Sequence, residues 1–224
     1  MDTEQMDEAH RKMMQFIAEH LQRGDTASMF QELYVRAQDD MQVIPWARQQ
    51  PNPLFVSWAE QHDLAGNGRR ALQVGCGLGD DAEELARRGF VVTAFDIAPA
   101  AIEWCRRRFP DSPVQYMVAD LLNPPEDWRG AFDLILEIYT LQTMPAEMRA
   151  QAVERLTRFL APGGELLVIC RGRHQDESEE GMPPPLAKED LALFERCGLQ
   201  LVSFEDIEPE GEPSWRRFRA LYRA

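Results

Sequence analysis

The stretch Ala71-Leu72-Gln73-Val74-Gly75-Cys76-Gly77-Leu78-Gly79-Asp80 constrains the fold more than any other, because a short apolar run ends in alternate glycines and a helical pattern begins directly after them. That order reads as a strand, a tight loop and a helix N-terminus. A loop without Cβ atoms at Gly75, Gly77 and Gly79 lets a ligand lie against bare backbone, and the first N–H groups of the following helix point into the same space. Nucleotide-like ligands use such places.

The rest of the chain repeats the alternation of strand and helix. After the loop, a helix through Asp80, Asp81, Leu85 and Ala86 ends at Gly89, and Val91 to Phe95 form a strand ended by Asp96. Pro99 opens a helix with Ile102, Trp104 and Cys105, Val114 to Val118 form a third strand, and Phe132 to Ile138 a fourth. The fourth is almost wholly apolar, as a strand covered on both faces must be. Pro145 starts a helix to Leu160, Pro162-Gly163-Gly164 turns into a fifth strand from Glu165 to Cys170, and Arg171 to Pro185 is a charged, proline-rich loop or lid. A helix over Lys188–Arg196 and two close strands, Leu199–Phe204 and Trp215–Tyr222, end the chain. The prediction is an α/β, Rossmann-like, doubly wound sheet of seven strands. It is mostly parallel, with one antiparallel edge hairpin strand and helices on both faces.

Ahead of the loop lies a different pattern. Met6, Ala9, Met13, Phe16, Ile17 and Leu21 fall at helical spacing until Gly24, and Ser28 with Gln31 reads as a capping box for a second helix carrying Met29, Phe30, Leu33, Tyr34 and Ala37. Ile44 to Pro53 is a polar, proline-punctuated loop with one large aromatic, Trp46. Asn52 and Pro53 then cap and open a helix to about His62. Residues 1–68 thus read as a helical cap with a Pro-Trp loop, and 69–224 as the nucleotide domain, in one compact unit.

Charge narrows the partners. The 38 acidic against 24 basic side chains give a formal charge of −14, which repels a phosphate backbone, so nucleic acid is a poor substrate. The four cysteines are widely separated, suggesting neither a zinc site nor a disulfide framework, and no metal is expected. No apolar run approaches the roughly 20 residues of a membrane helix, and the N-terminus lacks an apolar signal core. A cytoplasmic monomer or homodimer is expected.

The dinucleotide fingerprint wants glycine where this chain has Asp80, and an aspartate there opposes a pyrophosphate while welcoming a cation. Asp96, roughly 20 residues on at the next strand end, suits a ribose. A nucleoside with a sulfonium and an amino-acid tail meets these conditions, and that ligand is S-adenosylmethionine. The order of Val74 to Gly79, Phe95-Asp96-Ile97, Ala119-Asp120-Leu121, Phe132 to Glu137 and Leu160 to Gly164 resembles the class I methyltransferases.

That resemblance implies Gly75, Cys76, Gly77, Gly79 and Asp80 beside the methionine part, Asp96 on the ribose, Ile97 against adenine, and Asp120 with Leu121 near the adenine amino group. Glu137 stands at the strand-four edge. The plain alternatives are a helix cap for Asp96, a turn residue for Asp120 and a strand end for Glu137. Ile44-Pro45-Trp46, Pro51-Asn52-Pro53 and Glu137-Ile138-Tyr139-Thr140 further resemble the thiopurine and thiol methyltransferases, with tellurite-resistance enzymes nearby. There Trp46 would pack by the sulfonium or simply fill core space, and Ala47 replaces the group's usual aspartate. The expected reaction is methyl transfer to a small soft nucleophile such as a thiol or chalcogen compound, releasing S-adenosylhomocysteine. The rivals are a nicotinamide-dependent oxidoreductase and a binding protein without turnover. No catalytic acid or base is assigned. Trp46, Tyr139, Arg171 and Arg173 are the expected acceptor pocket, with Arg173 equally suited to pairing with Asp176 or Glu177.

Overall fold

The computed structural model describes residues 15–17, 20, 26–179, 181, 183–208 and 215–224. Most of the helix expected from Met6 to Leu21 lies outside the described residues, although Phe16, Ile17 and His20 are helical. Strands are β1 (Arg70–Val74), β2 (Val91–Asp96), β3 (Gln115–Val118), β4 (Phe132–Ile138), β5 (Leu160–Arg173), β6 (Leu186–Ala187), β7 (Gln200–Ile207) and β8 (Arg217–Arg223). Helices are α1 (Thr26–Ala37), α2 (Pro53–Gln61), α3 (Asp80–Arg87), α4 (Pro99–Arg108), α5 (Ala146–Phe159), α6 (Lys188–Leu191) and α7 (Leu193–Arg196).

The main sheet runs β3-β2-β1-β4-β5-β8-β7, with β6 added beside β5. Pairings from β3 to β5 are parallel, and β8 is antiparallel to both β5 and β7. The expected edge hairpin is therefore present, with its antiparallel strand one place in from the rim. The order reverses at β1/β4, the switch point outside which open α/β sheets bind ligands.

Alternation along the central strands builds two cores. Leu72, Val74, Ile135 and Val168 meet Val153 and Leu156 of α5, whereas Ala71, Leu136, Leu167 and Ile169 meet Phe55 and Trp58 of α2 and Leu85 of α3. Arg219 of β8, almost wholly buried, ties α2 down: it pairs with Glu205 and donates to Leu54 O (2.7 Å) and Ser57 Oγ (3.0 Å). A third cluster sets Leu33, Tyr34 and Ala37 of α1 against Leu78, Ala101 and Trp104, so α1 lies over the loop and α4.

Local signals differ in how they resolve. Asn52 caps α2 as read, its Oδ1 accepting from Leu54 N at 2.9 Å with Pro53 at the first helical position. Ser28 does not cap α1: it lies inside a helix that already includes Thr26. The expected helix over Lys188–Arg196 is split at Ala192 into α6 and α7. Part of the Arg171–Pro185 loop is extended, because β5 continues to Arg173 and pairs with β6.

Candidate functional site

The loop between β1 and α3 is built from three glycines in the left-handed region, Gly75 (φ 55°), Gly77 (φ 52°) and Gly79 (φ 90°). Their reasons differ. A Cβ on Gly75 would strike Thr140, with Cγ2 at 2.8 Å, and a Cβ on Gly79 would lie 2.6 Å from the Tyr116 hydroxyl. Both are backed by protein. A Cβ on Gly77 would meet only Tyr34 Oη, at 3.3 Å, so this glycine alone presents bare backbone toward the α1 side. From behind, the Cys105 thiol donates to Gly77 O at 3.1 Å.

Asp96 ends β2 opposite this loop. Its carboxylate accepts from Gly77 N (3.0 Å) and Ala98 N (2.9 Å), and burial pushes its pKa up to about 6. The second bond closes a turn two residues long and is not the helix cap suggested as the plain alternative, because the N-cap of α4 is Ala98, which makes no side-chain cap bond. Each oxygen retains a further lone pair for a ligand hydroxyl. Ile97 beside it is 39% exposed, an apolar surface at the carboxyl edge. Asp120 lies exposed on the turn after β3, where its Oδ1 accepts from Leu122 N at 2.9 Å. Leu121 points into the core with Phe95 and Trp128, 4% exposed, and presents no surface to a ligand at that edge.

Asp80 is not the bare aspartate its sequence position suggests. Arg108 of α4 clasps it with two 2.8 Å bonds and also donates to Leu78 O, so the pair is neutral. The expected repulsion of a pyrophosphate by Asp80 thus falls away. What remains against a pyrophosphate is that the Arg108 terminal nitrogens are already engaged. Asp81, read from the sequence only as a helix residue, accepts from Asn52 N (2.6 Å) and so fastens the Pro-Trp loop to α3; burial pushes its pKa up to about 6.

Glu137 at the end of β4 is completely buried. One oxygen accepts from Thr140 N (2.7 Å) and Leu141 N (3.0 Å), and the other, Oε2, has no protein partner. Burial pushes its pKa up to about 7. The carboxylate folds the turn that sets Thr140 against Gly75, while Thr140 Oγ1 donates to Val74 O at 3.2 Å. Tyr139 is held within that turn at φ 60°, an uncommon conformation for a bulky residue.

Above the loop, Trp46 Nε1 donates to Tyr34 Oη at 3.0 Å, and the Trp46 ring meets the rings of Phe30 and Tyr34 edge-on. Trp46 is 37% exposed, so it does not fill core space. At the end of β5, Arg173 donates to Glu179 (2.6 Å) and to the carbonyls of His174 and Gln175, and so organises the loop that follows. Its acid partner is Glu179 rather than the side chains of Asp176 or Glu177. Arg171 instead lies 4.7 Å over the Trp215 ring and donates to Pro183 O at 3.3 Å. Tyr139 Oη accepts from Arg217 Nε at 3.1 Å, which brings strand-four and strand-eight residues together. From the sequence, Tyr34, Asp81, Thr140 and Trp215 were read only as members of helices, a motif and a strand, and Arg108 and Arg217 were not singled out; none carried a local signal of these contacts.

The arrangement suits a phosphate-free, nucleoside-like ligand. It combines the bare backbone at Gly77, a carboxylate beside it and an exposed Ile97, with the unpartnered Glu137 Oε2 near the same strand ends. Among the described residues no helix is long and apolar enough to cross a membrane, and no group of three or more His, Cys, Asp or Glu side chains could hold a metal.

Residues 71–164 match the family described as "Methyltransferase domain". The chain is 28% identical over 150 residues to a 2-heptyl-1-hydroxyquinolin-4(1H)-one methyltransferase of Mycobacteroides abscessus, covering 66% of this chain and 64% of that protein. It is 34% identical over 172 residues to a ubiquinone biosynthesis O-methyltransferase of Alkalilimnicola ehrlichii, covering 75% and 61%. Less than two thirds of each relative's length is therefore matched. The crystal structure of Burkholderia thailandensis 1,6-didemethyltoxoflavin-N1-methyltransferase, with bound 1,6-didemethyltoxoflavin and S-adenosylhomocysteine, superposes with a TM-score of 0.69 at 16% identity, over 88% of this chain and 86% of that one. This last likeness bears on the fold alone.

Proposed function

We propose that this chain, a class I methyltransferase by its domain, binds S-adenosylmethionine over the Gly75–Gly79 loop and transfers its methyl group to a small molecule at the carboxyl ends of β4 and β5. The observation that carries the reading is the Gly77 cradle: bare backbone with the Asp96 carboxylate bonded to its N–H. When bound, the cofactor supplies a methyl activated by a sulfonium charge.

The chain's residues then have distinct tasks. Asp96 would accept the ribose hydroxyls, Ile97 would pack on the adenine, and Asp120 would reach its amino group from the exposed turn. Leu121, turned inward, would support that turn from behind. Glu137 would shape the wall beside the methionine part, and Trp46 would offer a ring to the sulfonium. Tyr34 lies over Gly77, so residues 1–68 would act as a cap that shifts to admit the nucleoside and then excludes water. Transfer is an in-line displacement that needs mainly alignment. A thiol or related chalcogen acceptor suits a site without an assigned base, while the proteins similar to this chain include O- and N-methyltransferases.

Calorimetric titration with S-adenosylmethionine, S-adenosylhomocysteine and NAD tests this reading. The first two should bind and NAD should not, followed by turnover on a panel of thiols, chalcogen oxyanions, phenols and amines. Binding of NAD alone would favour an oxidoreductase. Tight cofactor binding with no methylated product across the panel would favour a binding protein.

A further inference from the structure

Arg171 and Arg217 sit directly opposite each other on the antiparallel pair β5 and β8. Like charges in that register repel. Among the described residues neither has a carboxylate within ion-pair distance, although the chain has 38 acidic side chains to 24 basic ones. Their neighbours show the contrast, since Arg173 holds Glu179 and Arg216 holds Asp206 and Glu208. Among the described residues these two adjacent guanidinium groups have no counter-ion, and an anion held between them would stabilise the pair.

The surroundings define which anion. Arg217 is oriented by Tyr139 Oη through its Nε and by Trp215 O through Nη1 (3.0 Å). Arg171 Cζ lies 4.7 Å from the centroid of the Trp215 ring, which is 39% exposed, and Gly181 of the loop after β5 comes so close that a Cβ there would have to displace the Arg171 guanidinium. Burial, with Arg217 beside it, holds the Arg171 guanidinium below its usual range. The Arg171 amide donates to Gln142 Oε1 (2.8 Å), which links this pair to the turn after β4.

We infer that Arg171 and Arg217, with the Trp215 ring and the Tyr139 hydroxyl, form a subsite for a planar carboxylate attached to an aromatic or otherwise flat methyl acceptor. This deepens and rests on the methyltransferase reading above. Guanidinium groups match a carboxylate in planar, paired geometry, and the Trp215 face offers area to the attached ring. With a thiol acceptor, the thiol first loses its proton to solvent. The thiolate electron pair then forms the S–CH3 bond as the sulfonium C–S bond breaks, leaving neutral S-adenosylhomocysteine.

The test uses the full chain saturated with S-adenosylhomocysteine and two probes that differ only in the carboxylate, 4-mercaptobenzoate and thiophenol, titrated calorimetrically. The carboxylate probe should bind at least tenfold more tightly, with the preference shrinking as salt rises. Arg217→Gln should abolish most of that preference, Arg217→Lys should restore part of it, and S-adenosylhomocysteine affinity should stay within about twofold in both. Equal binding of the two probes, or a preference that survives Arg217→Gln, overturns the subsite while leaving the cofactor reading intact. Failure of S-adenosylhomocysteine to bind the unaltered protein overturns the cofactor reading and the acceptor assignment with it. If Arg217→Gln does not fold, competition of benzoate against benzamide for 4-mercaptobenzoate in the unaltered protein decides: benzoate must displace it and benzamide must not.

Discussion

Replacing Gly75 by alanine places a methyl carbon 2.8 Å from Thr140 Cγ2 and forces a residue with a Cβ into φ 55°. The left-handed backbone costs about 1–2 kcal/mol, and the overpacking about 1–3 kcal/mol more. In a domain of this size that lowers Tm by roughly 5–20 °C. Thr140→Ala alone loses one bond to Val74 O, about 0.5–1.5 kcal/mol. The double variant removes Oγ1 and Cγ2 but keeps the backbone strain, so it should be more stable than the sum of the single effects by about 1–2 kcal/mol. Gly77→Ala is the contrast. Its Cβ meets only Tyr34 Oη at 3.3 Å, so stability should fall by the backbone strain alone, while S-adenosylhomocysteine affinity falls tenfold or more. Urea unfolding with near-UV circular dichroism measures the first quantities and calorimetry the last. Additive effects of Gly75→Ala and Thr140→Ala, within about 0.5 kcal/mol, would refute the assignment of Gly75 to packing. Unchanged affinity in Gly77→Ala would refute its assignment to the ligand.

Asp96→Ala should weaken S-adenosylmethionine binding by about 1–3 kcal/mol, since charge-assisted bonds are lost, and an unchanged Kd would move the ribose elsewhere. Asp81, Asp96 and Glu137 all have folded pKa values raised by burial, to about 6, 6 and 7. The folded chain therefore keeps protons that the unfolded chain releases, and this stabilisation, complete below about pH 4, is lost as pH rises through 6 to 7. Cofactor affinity should run the other way between pH 5 and 7, because a ribose and a sulfonium favour ionised Asp96; urea midpoints against pH, and calorimetric proton release in two buffers, check both signs. Arg219→Met should cost about 2–4 kcal/mol by freeing α2 from β8, read as a lower urea midpoint, and a loss under about 0.5 kcal/mol would show that α2 is held by its apolar face alone. Limited proteolysis around Met41 to Pro51 should slow when S-adenosylhomocysteine is bound, and equal rates would leave that segment a static extension.

The sheet was largely legible because burial has a period. Apolar alternation and continuous runs reveal which segments are covered, and glycine, proline and asparagine mark where the chain turns. Asn52-Pro53 capped a helix where the sequence placed one, and the alternate glycines marked a strand-to-helix turn. Ser28 misled, since a capping pair also fits inside a helix whose start lies earlier. Split helices such as α6 and α7 were not visible either, because one apolar face can be presented by two short turns.

What the sequence by itself determined about this protein is thus the class of sheet, the order of its elements and the loop at its switch point. All of these follow from interactions between residues near in the chain. Tertiary structure alone decided the partners. Asp80 met Arg108, Thr140 met Gly75, Tyr34 came to lie over Gly77, Leu121 turned inward, and Arg171 faced Arg217 while Arg173, two residues on, was drawn to Glu179. Charge type and spacing along a chain do not specify which groups meet across a sheet. That depends on strand register and on which face each side chain takes, and a shift of one residue exchanges the faces.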